Sequence, residues 1–420
     1  MNMAIPYQAA PRVTAANPFM AILGLAFVGI LIAQTARILY LDANSVEGGQ
    51  LDLAGYFLNG IIGVALLYYS FQHQLLRFKV LAVVAIFIFL LTLNINSSSN
   101  PDLFGVLFSR YGIVVIFLLG LGSAIALHAL RTLINSETTR WFAGLVSFSL
   151  YIFLLPVAFI VLNYLENRVQ TESYQQVSSN AIVLICVALL TVAAAKKPGA
   201  FSSNIASYIL LILCTVLVYA IALMQSTSII AFWMVIFPVA LLSMTDNDTR
   251  VARLFIAVVV GVIVYWLIVA FLLGDLLTDT RFEAINDGIL ELSSVQSRIA
   301  LLSGFSDQFA VAPLFGAFDA ELRAGYFAGS YMHSIILSLL THMGIIGTIL
   351  IALILYFIRQ DGKRTGEYRQ SFGRFYYRLF LSILFLGTLF TFFTWMPFWF
   401  FLGSMSIRMV NEGTSREFAS

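Results

Sequence analysis

Residues 333–358 read HSIILSLLTHMGIIGTILIALILYFI, and no aspartate, glutamate, lysine or arginine interrupts them. At 1.5 Å per residue a helix of this run reaches about 39 Å, more than the roughly 30 Å of bilayer hydrocarbon. It predicts a membrane-spanning helix. Working outward, the same criterion of roughly 20 apolar residues selects 18–39, 53–70, 80–95, 111–128, 141–162, 180–195, 205–224, 228–244, 254–273, 379–394 and 396–410. With 333–358 that makes about twelve spans. The last two are short and share the turn Trp395-Met396-Pro397, so they form either a tilted hairpin or one broken helix.

Composition agrees. The 420 residues are 60% hydrophobic and 10% charged, where a soluble domain carries about 25% charged residues. The mean hydropathy is +0.93. The fold class is therefore an all-α polytopic membrane protein. A net charge of +2 suggests no nucleic-acid partner. Cys186 and Cys214 lie inside apolar runs and read as small buried hydrophobes, not as a disulfide or metal site. The polar segment Met1 to Asn17 leads into the first run without a convincing cleavage site, so that run reads as a retained span.

Lysine and arginine bias sets orientation. With the N-terminus in the cytoplasm, the inside receives Arg12, Arg77, Lys79, Arg131, Arg140, Lys196, Lys197, Arg250, Arg253, Arg359, Lys363, Arg364, Arg369, Arg374, Arg378, Arg408 and Arg416. The outside receives only Arg37, Arg110, Arg168, Arg281, Arg298 and Arg323, six of the 23 cations, which settles the expectation that both termini are cytoplasmic. Three parts follow: an N-terminal bundle of about nine spans (1–273), an outer loop (274–332), and a C-terminal bundle (333–420) with a basic cytoplasmic loop at 359–378. All six outer cations are arginine, whose planar fork matches phosphate bidentately and stays charged at any working pH. The rival reading is ordinary surface ion pairing. For Arg281 and Arg298 their place in the loop favours function.

The outer loop is the long, chemically varied gap. Phe282, Ile285, Ile289, Leu292, Val295, Ile299 and Leu302 recur at three- and four-residue intervals, which predicts an amphipathic helix over 281–302, with Asp279 and Thr280 at its start. Asp287, Glu291, Ser294 and Arg298 share another face, as a polar working face or as solvated charge pairs. Ser303 to Asp307 reads as a turn, Pro313-Leu314-Phe315-Gly316 as a tight bend, and Asp319 to Gly329 as a second polar stretch. His333 opens the next span and is a candidate proton acceptor, with an interfacial histidine as the alternative. His342, two and a half turns deeper, reads as a packed polar residue bonding a neighbouring helix, or as part of the site.

These segments resemble the O-antigen polymerase and ligase superfamily of bacterial surface-polysaccharide assembly. The likeness rests on Ser297-Arg298-Ile299-Ala300-Leu301-Leu302, like its arginine-bearing outer helix; on Pro313-Leu314-Phe315-Gly316, like its P-L-x-G bend; and on His333-Ser334 followed by Gly344-Ile345-Ile346-Gly347, like its His-Asn and Gly-x-x-Gly pattern. It covers roughly 225–400, and the layout of spans extends it along the chain. Two departures stand out. Gln225-Ser226-Thr227-Ser228 has no arginine where the family often carries Ser-Arg-Gly-Ala, and Ser334 stands where Asn is usual.

The resemblance implies a membrane-embedded glycosyltransferase similar to the GT-C type, inverting and metal-independent, without a cofactor, in the bacterial inner membrane. Its donor would be an undecaprenyl-pyrophosphate-linked oligosaccharide at the periplasmic face. Arg298 and Arg281 would hold the pyrophosphate, with Arg110 and Arg323 as weaker candidates. His333 would be the acceptor base or an orienter, with Glu291 or Asp287 as the rival base. A polymerase, whose acceptor is a second lipid-linked unit, is favoured over a ligase to lipid A core. Implied partners are membrane lipid, a chain-length regulator protein and a flippase. The rival from another class is a lipid-linked oligosaccharide flippase or transporter. Such a protein should show internal repeats or mid-span charge, and neither is clear here.

Overall fold

The computed structural model describes residues 64–97, 110–134, 174–195, 207–218, 227–244, 293–326 and 332–409, apart from positions 66, 73, 216 and 394. The expected spans 18–39, 141–162 and 254–273 lie outside the described residues. The described chain is helical: α1 (Phe78–Asn96), α2 (Arg110–Ile134), α3 (Tyr174–Ala195), α4 (Thr227–Met244), α5 (Ser293–Ser303), α6 (Phe305–Val311), α7 (Ala320–Arg323), α8 (Ile335–Arg364), α9 (Ser371–Phe390) and α10 (Met396–Ser404). Among the described residues the only β-pairing is an isolated bridge between Leu76 and Ile407. α1 and α8 are long and apolar enough to cross a membrane, and shorter apolar stretches occur at Ile116–His128, Ala181–Ala194 and Ile229–Leu241.

α1 shows why such a sequence folds as it does. Val80, Val84, Phe87, Leu91 and Asn94, spaced four, three, four and three apart, are buried. Phe78, Ile86, Phe89 and Leu93 on the other side are exposed, as a helix bordering lipid requires. α1 packs along α8, whose buried face includes Ile335, Leu339, Ile351, Ile354 and Ile358. The two run in opposite directions, because Arg77 at the start of α1 meets Asp361 near the end of α8 and Asn94 meets His342 near its start.

α9 and α10 form a hairpin. Glu367 just before α9 accepts from the Met409 amide just after α10 (3.1 Å), so the chain leaves and returns to one end. At the other end the Phe393 amide donates to Ser338 Oγ of α8 (2.9 Å). Pro397 sits in the first turn of α10, where no amide is needed. α10 is only nine residues long, so the return is completed by a turn at 405–406 and the 407–409 tail, which pair with 75–77. α10 crosses α2 at a close approach: a side chain on Gly120 would strike the Phe400 carbonyl, and one on Gly403 the Phe117 carbonyl. Small residues that let backbones meet are the usual device for helix packing in lipid.

The tail is fixed by buried charge. Arg77 Nε donates to Asp361 Oδ2 (2.9 Å), and its other nitrogens donate to the Met405 carbonyl and the Glu367 carboxylate. Arg408 takes both oxygens of Asp361, at 2.8 and 3.0 Å. Arg131 from the last turn of α2 donates to the Met409 carbonyl (3.3 Å) and lies over the Phe372 ring. Burial pushes the Glu367 carboxyl up from its ordinary value, and the Arg77 guanidinium opposes it. Arg77, Arg131 and Arg408, read from sequence as belonging to one side, therefore do share one end of the bundle.

Candidate functional site

The opposite end is built around a break in α8. Ser334 caps the helix by accepting from the Leu337 amide (3.4 Å). Asn and Ser cap equally well, so serine at this position keeps the helix start intact. Ten residues on, Gly344 has φ 65° and ψ −172°, and the helical ladder is interrupted. A break inside a membrane helix must have its freed backbone groups paired by protein. The Pro313–Gly316 bend does this. The Ile345 amide donates to the Pro313 carbonyl (2.9 Å) and Ile346 to Leu314 (3.1 Å). In return, the Thr341 carbonyl accepts from the Ala317 amide (3.2 Å), and the His342 carbonyl from Asn94 Nδ2 (3.1 Å). Asn94 also donates to Phe315 (2.7 Å) and so ties α1 to the same joint. The contact is backbone on backbone: a side chain on Gly316 would strike His342, and one on Gly344 would strike Leu314. Leu314 and Phe315 of the bend are exposed at this depth.

The bend leads to Asp319, just before α7, and to Glu321 and Arg323 within it, with Glu321 beside His342 of α8. His342, Asp319 and Glu321 are all buried. His342 Nε2 lies 3.6 Å from Glu321 Oε2, its Nδ1 3.3 Å from Thr341 Oγ1, and its ring against Phe392, Phe393 and Phe318. Arg323 Nε lies 2.7 Å from Asp319 Oδ1, and its Nη2 donates to the Ser97 carbonyl that ends α1 (2.9 Å). Both Glu321 oxygens lack a hydrogen-bond donor within reach. Burial, with the Asp319 charge adding to it, pushes the Glu321 carboxyl from 4.5 up to about 7. Carboxyl and imidazole thus stand as a buried titratable pair, 3.6 Å apart and not hydrogen-bonded to each other, at this end of the protein.

A pH test follows. Because the folded pKa is raised, Glu321 contributes most stability below about pH 4.5, and that contribution is lost as pH rises through about 7. The expected loss is on the order of 3 kcal/mol between those limits. Glu321→Gln imitates the neutral carboxyl, so the gap in thermal stability between wild type and variant should change sign or widen from pH 5 to pH 8. Parallel curves would show that Glu321 does not titrate in this range.

The sequence-predicted residues distribute unevenly. Arg323, itself exposed, touches the buried cluster through Asp319, and its guanidinium is already engaged by Asp319 and Ser97. His333, half-buried, immediately precedes the Ser334 cap. Arg298 lies in the middle of α5, which leads into α6 across Gly304. Arg110 is the first residue of α2, a helix length from the Arg131 that reaches Met409. Arg281, Asp287 and Glu291, with the expected helix start at Asp279 and Thr280, lie outside the described residues. The Ser303–Asp307 turn is corrected: helix resumes at Phe305, and only Gly304 separates α5 from α6. Glu321, Asp319 and Asn94 were not singled out from sequence. A lone amide in the apolar run 80–95 was the available signal for Asn94. The two acids sit in a short stretch without periodicity. Among the described residues no group of three His, Cys, Asp or Glu is placed to hold a metal ion. Neither a protein-family model nor a curated protein matches this chain.

Proposed function

We propose that the chain is a membrane-embedded glycosyltransferase, a polymerase of lipid-linked oligosaccharide repeat units. In this reading about twelve spans cross the bacterial inner membrane, both termini are cytoplasmic, and the α5–α7 segment faces the periplasm. The supporting observation is the joint. Two of the three segments that carry the resemblance, the Pro313–Gly316 bend and the Gly344–Gly347 turn of α8, pair with each other through backbone bonds. The third, around Arg298, lies on α5, which leads into the bend through α6.

In the proposed reaction the acceptor hydroxyl attacks the sugar C1 from the face opposite the pyrophosphate. The C1–O bond breaks, the electron pair leaves with undecaprenyl pyrophosphate, and a base takes the hydroxyl proton. Arg298 and Arg281 would balance the charge gathering on the leaving group, with Arg110 and Arg323 behind them. His333 at the mouth of α8 would take or orient the proton, with Glu291 and Asp287 as rivals. The deeper Glu321–His342 pair lies on the same end.

A host lacking the gene, complemented with variants, tests this on a gel of surface polysaccharide. Arg298→Ala should lower polymer formation by about 100-fold or more, the cost typical of losing one charge-stabilising donor. The variant should still reach the membrane. Arg298→Lys should also be poor, because lysine keeps the charge and loses the fork. A single repeat on lipid A core indicates a polymerase, and long chains stranded on the carrier indicate a ligase. An unchanged ladder in the deletion host would reject both and favour transport.

A further inference from the structure

The corner where α8 meets α9 has an unusual charge arrangement. On α9, Arg374, Arg378, Leu381, Phe385 and Leu389 follow one another at three- or four-residue spacing, and all five are exposed. On α8, Ile345, Ile349, Leu353 and Tyr356 form an exposed stripe that continues into Arg359 and Lys363. Each helix therefore has one outward face that is apolar for about two to three turns and cationic beyond. Lys79 at the start of α1 joins the same layer, with its Nζ 5.7 Å over the Phe357 ring.

The acids of this corner do not neutralise that layer. Glu367 is buried against Arg77, and Asp361 is engaged by Arg77 and Arg408. Arg359, Lys363, Arg364, Arg374 and Arg378 are exposed and form no ion pair among the described residues. Ordinary soluble surfaces intersperse both signs. A layer of one sign at the end of lipid-facing apolar stripes matches the height at which headgroup phosphates sit, and anionic lipids attract such segments.

We propose that Arg359, Lys363, Arg364, Arg374 and Arg378 form a docking surface for anionic phospholipid headgroups, which bridge α8 and α9 where the chain turns. Four of the five are arginines, whose forks grip phosphate oxygens in pairs. Bound headgroups would draw the two helix ends together over the corner that holds the 405–409 tail. The inference rests on the membrane reading and is independent of the transferase reading.

The test uses the purified full-length protein in neutral detergent. Thermal unfolding is followed with added phosphatidylglycerol, phosphatidylcholine or inorganic phosphate. Phosphatidylglycerol should raise the melting temperature, and the other two should not. Arg374→Gln/Arg378→Gln and, separately, Arg359→Gln/Lys363→Gln should melt like wild type without lipid and lose most of the phosphatidylglycerol shift. Added salt should weaken the wild-type shift. An equal response to both lipids, or a full shift in both variants, would overturn the proposal. A shift reproduced by inorganic phosphate would assign the layer to a free anion instead.

Discussion

Arg77→Ala is expected to destabilise the protein by about 3–5 kcal/mol, the cost of stranding a buried charge. Arg77 is 2% exposed and Glu367 1% exposed, and the arginine also holds Asp361 and the Met405 carbonyl. Asp361 would keep Arg408, but Glu367 would be left with the Met409 amide. The 405–409 tail would then lose its bond at the Met405 carbonyl, next to the end of α10, and keep those from Arg131, Arg408 and the Met409 amide. Detergent-solubilised variant should melt well below wild type. The gap should narrow as pH falls, because protonating Glu367 removes the stranded charge. Neutralising both partners, as in Arg77→Met with Glu367→Gln, should recover much of the loss. A melting temperature for Arg77→Ala equal to wild type would show that the buried network does not hold the tail.

Gly344→Ala should be the second severe substitution, and for a different reason. The backbone at this position, φ 65° and ψ −172°, belongs to a region that essentially only glycine adopts, at about 1–3 kcal/mol for other residues. A methyl group there would also strike Leu314 and the Gly316 amide, which the loop can avoid only by backing out of the break. The bonds from Ile345 and Ile346 to the bend would be lost together. Limited proteolysis of membranes should then cut within 293–326, where wild type resists, while the protein remains inserted. Gly325→Ala is the control. It too has positive φ (84°), but nothing lies within 4 Å of the added carbon, so only the conformational cost applies. Equal proteolytic sensitivity in the two variants would remove the joint from the account.

Much of this architecture is readable in the sequence where physics is local. The run at 333–358 demanded a helix through its length and lack of charge, and α8 follows. Pro313 and Gly316 announced a bend because they restrict or free φ, and the bend is there. The pairing of that bend with Gly344 was not readable. The bonds are backbone to backbone across some 30 residues of chain, and no side-chain pattern encodes which bend repairs which break. The inner charges show the same division. Counting arginines sorted Arg77, Arg131 and Arg408 to one side but treated them as loop charges. The structure buries Arg77 and Arg131, because Glu367 and Asp361 fold in beside them and the Met405 and Met409 carbonyls accept from them. At the candidate site, Arg323 stands out in the sequence by its charge, while its contacts with Asp319 and Ser97 do not. Glu321 and Asp319 gave no signal, since their chemistry comes from burial against His342.

The proposed reaction transfers a glycan from a lipid pyrophosphate at the end of the protein where the bend enters α8. Purified full-length protein, reconstituted in lipid with chelator present and given undecaprenyl-pyrophosphate-linked oligosaccharide, tests it most directly. Products are resolved by mass. The expected result is free undecaprenyl pyrophosphate together with carrier-linked glycan of two or more repeats, both lost in Arg298→Ala. Carrier-linked single repeats that wild-type protein leaves uncleaved and unextended would contradict it.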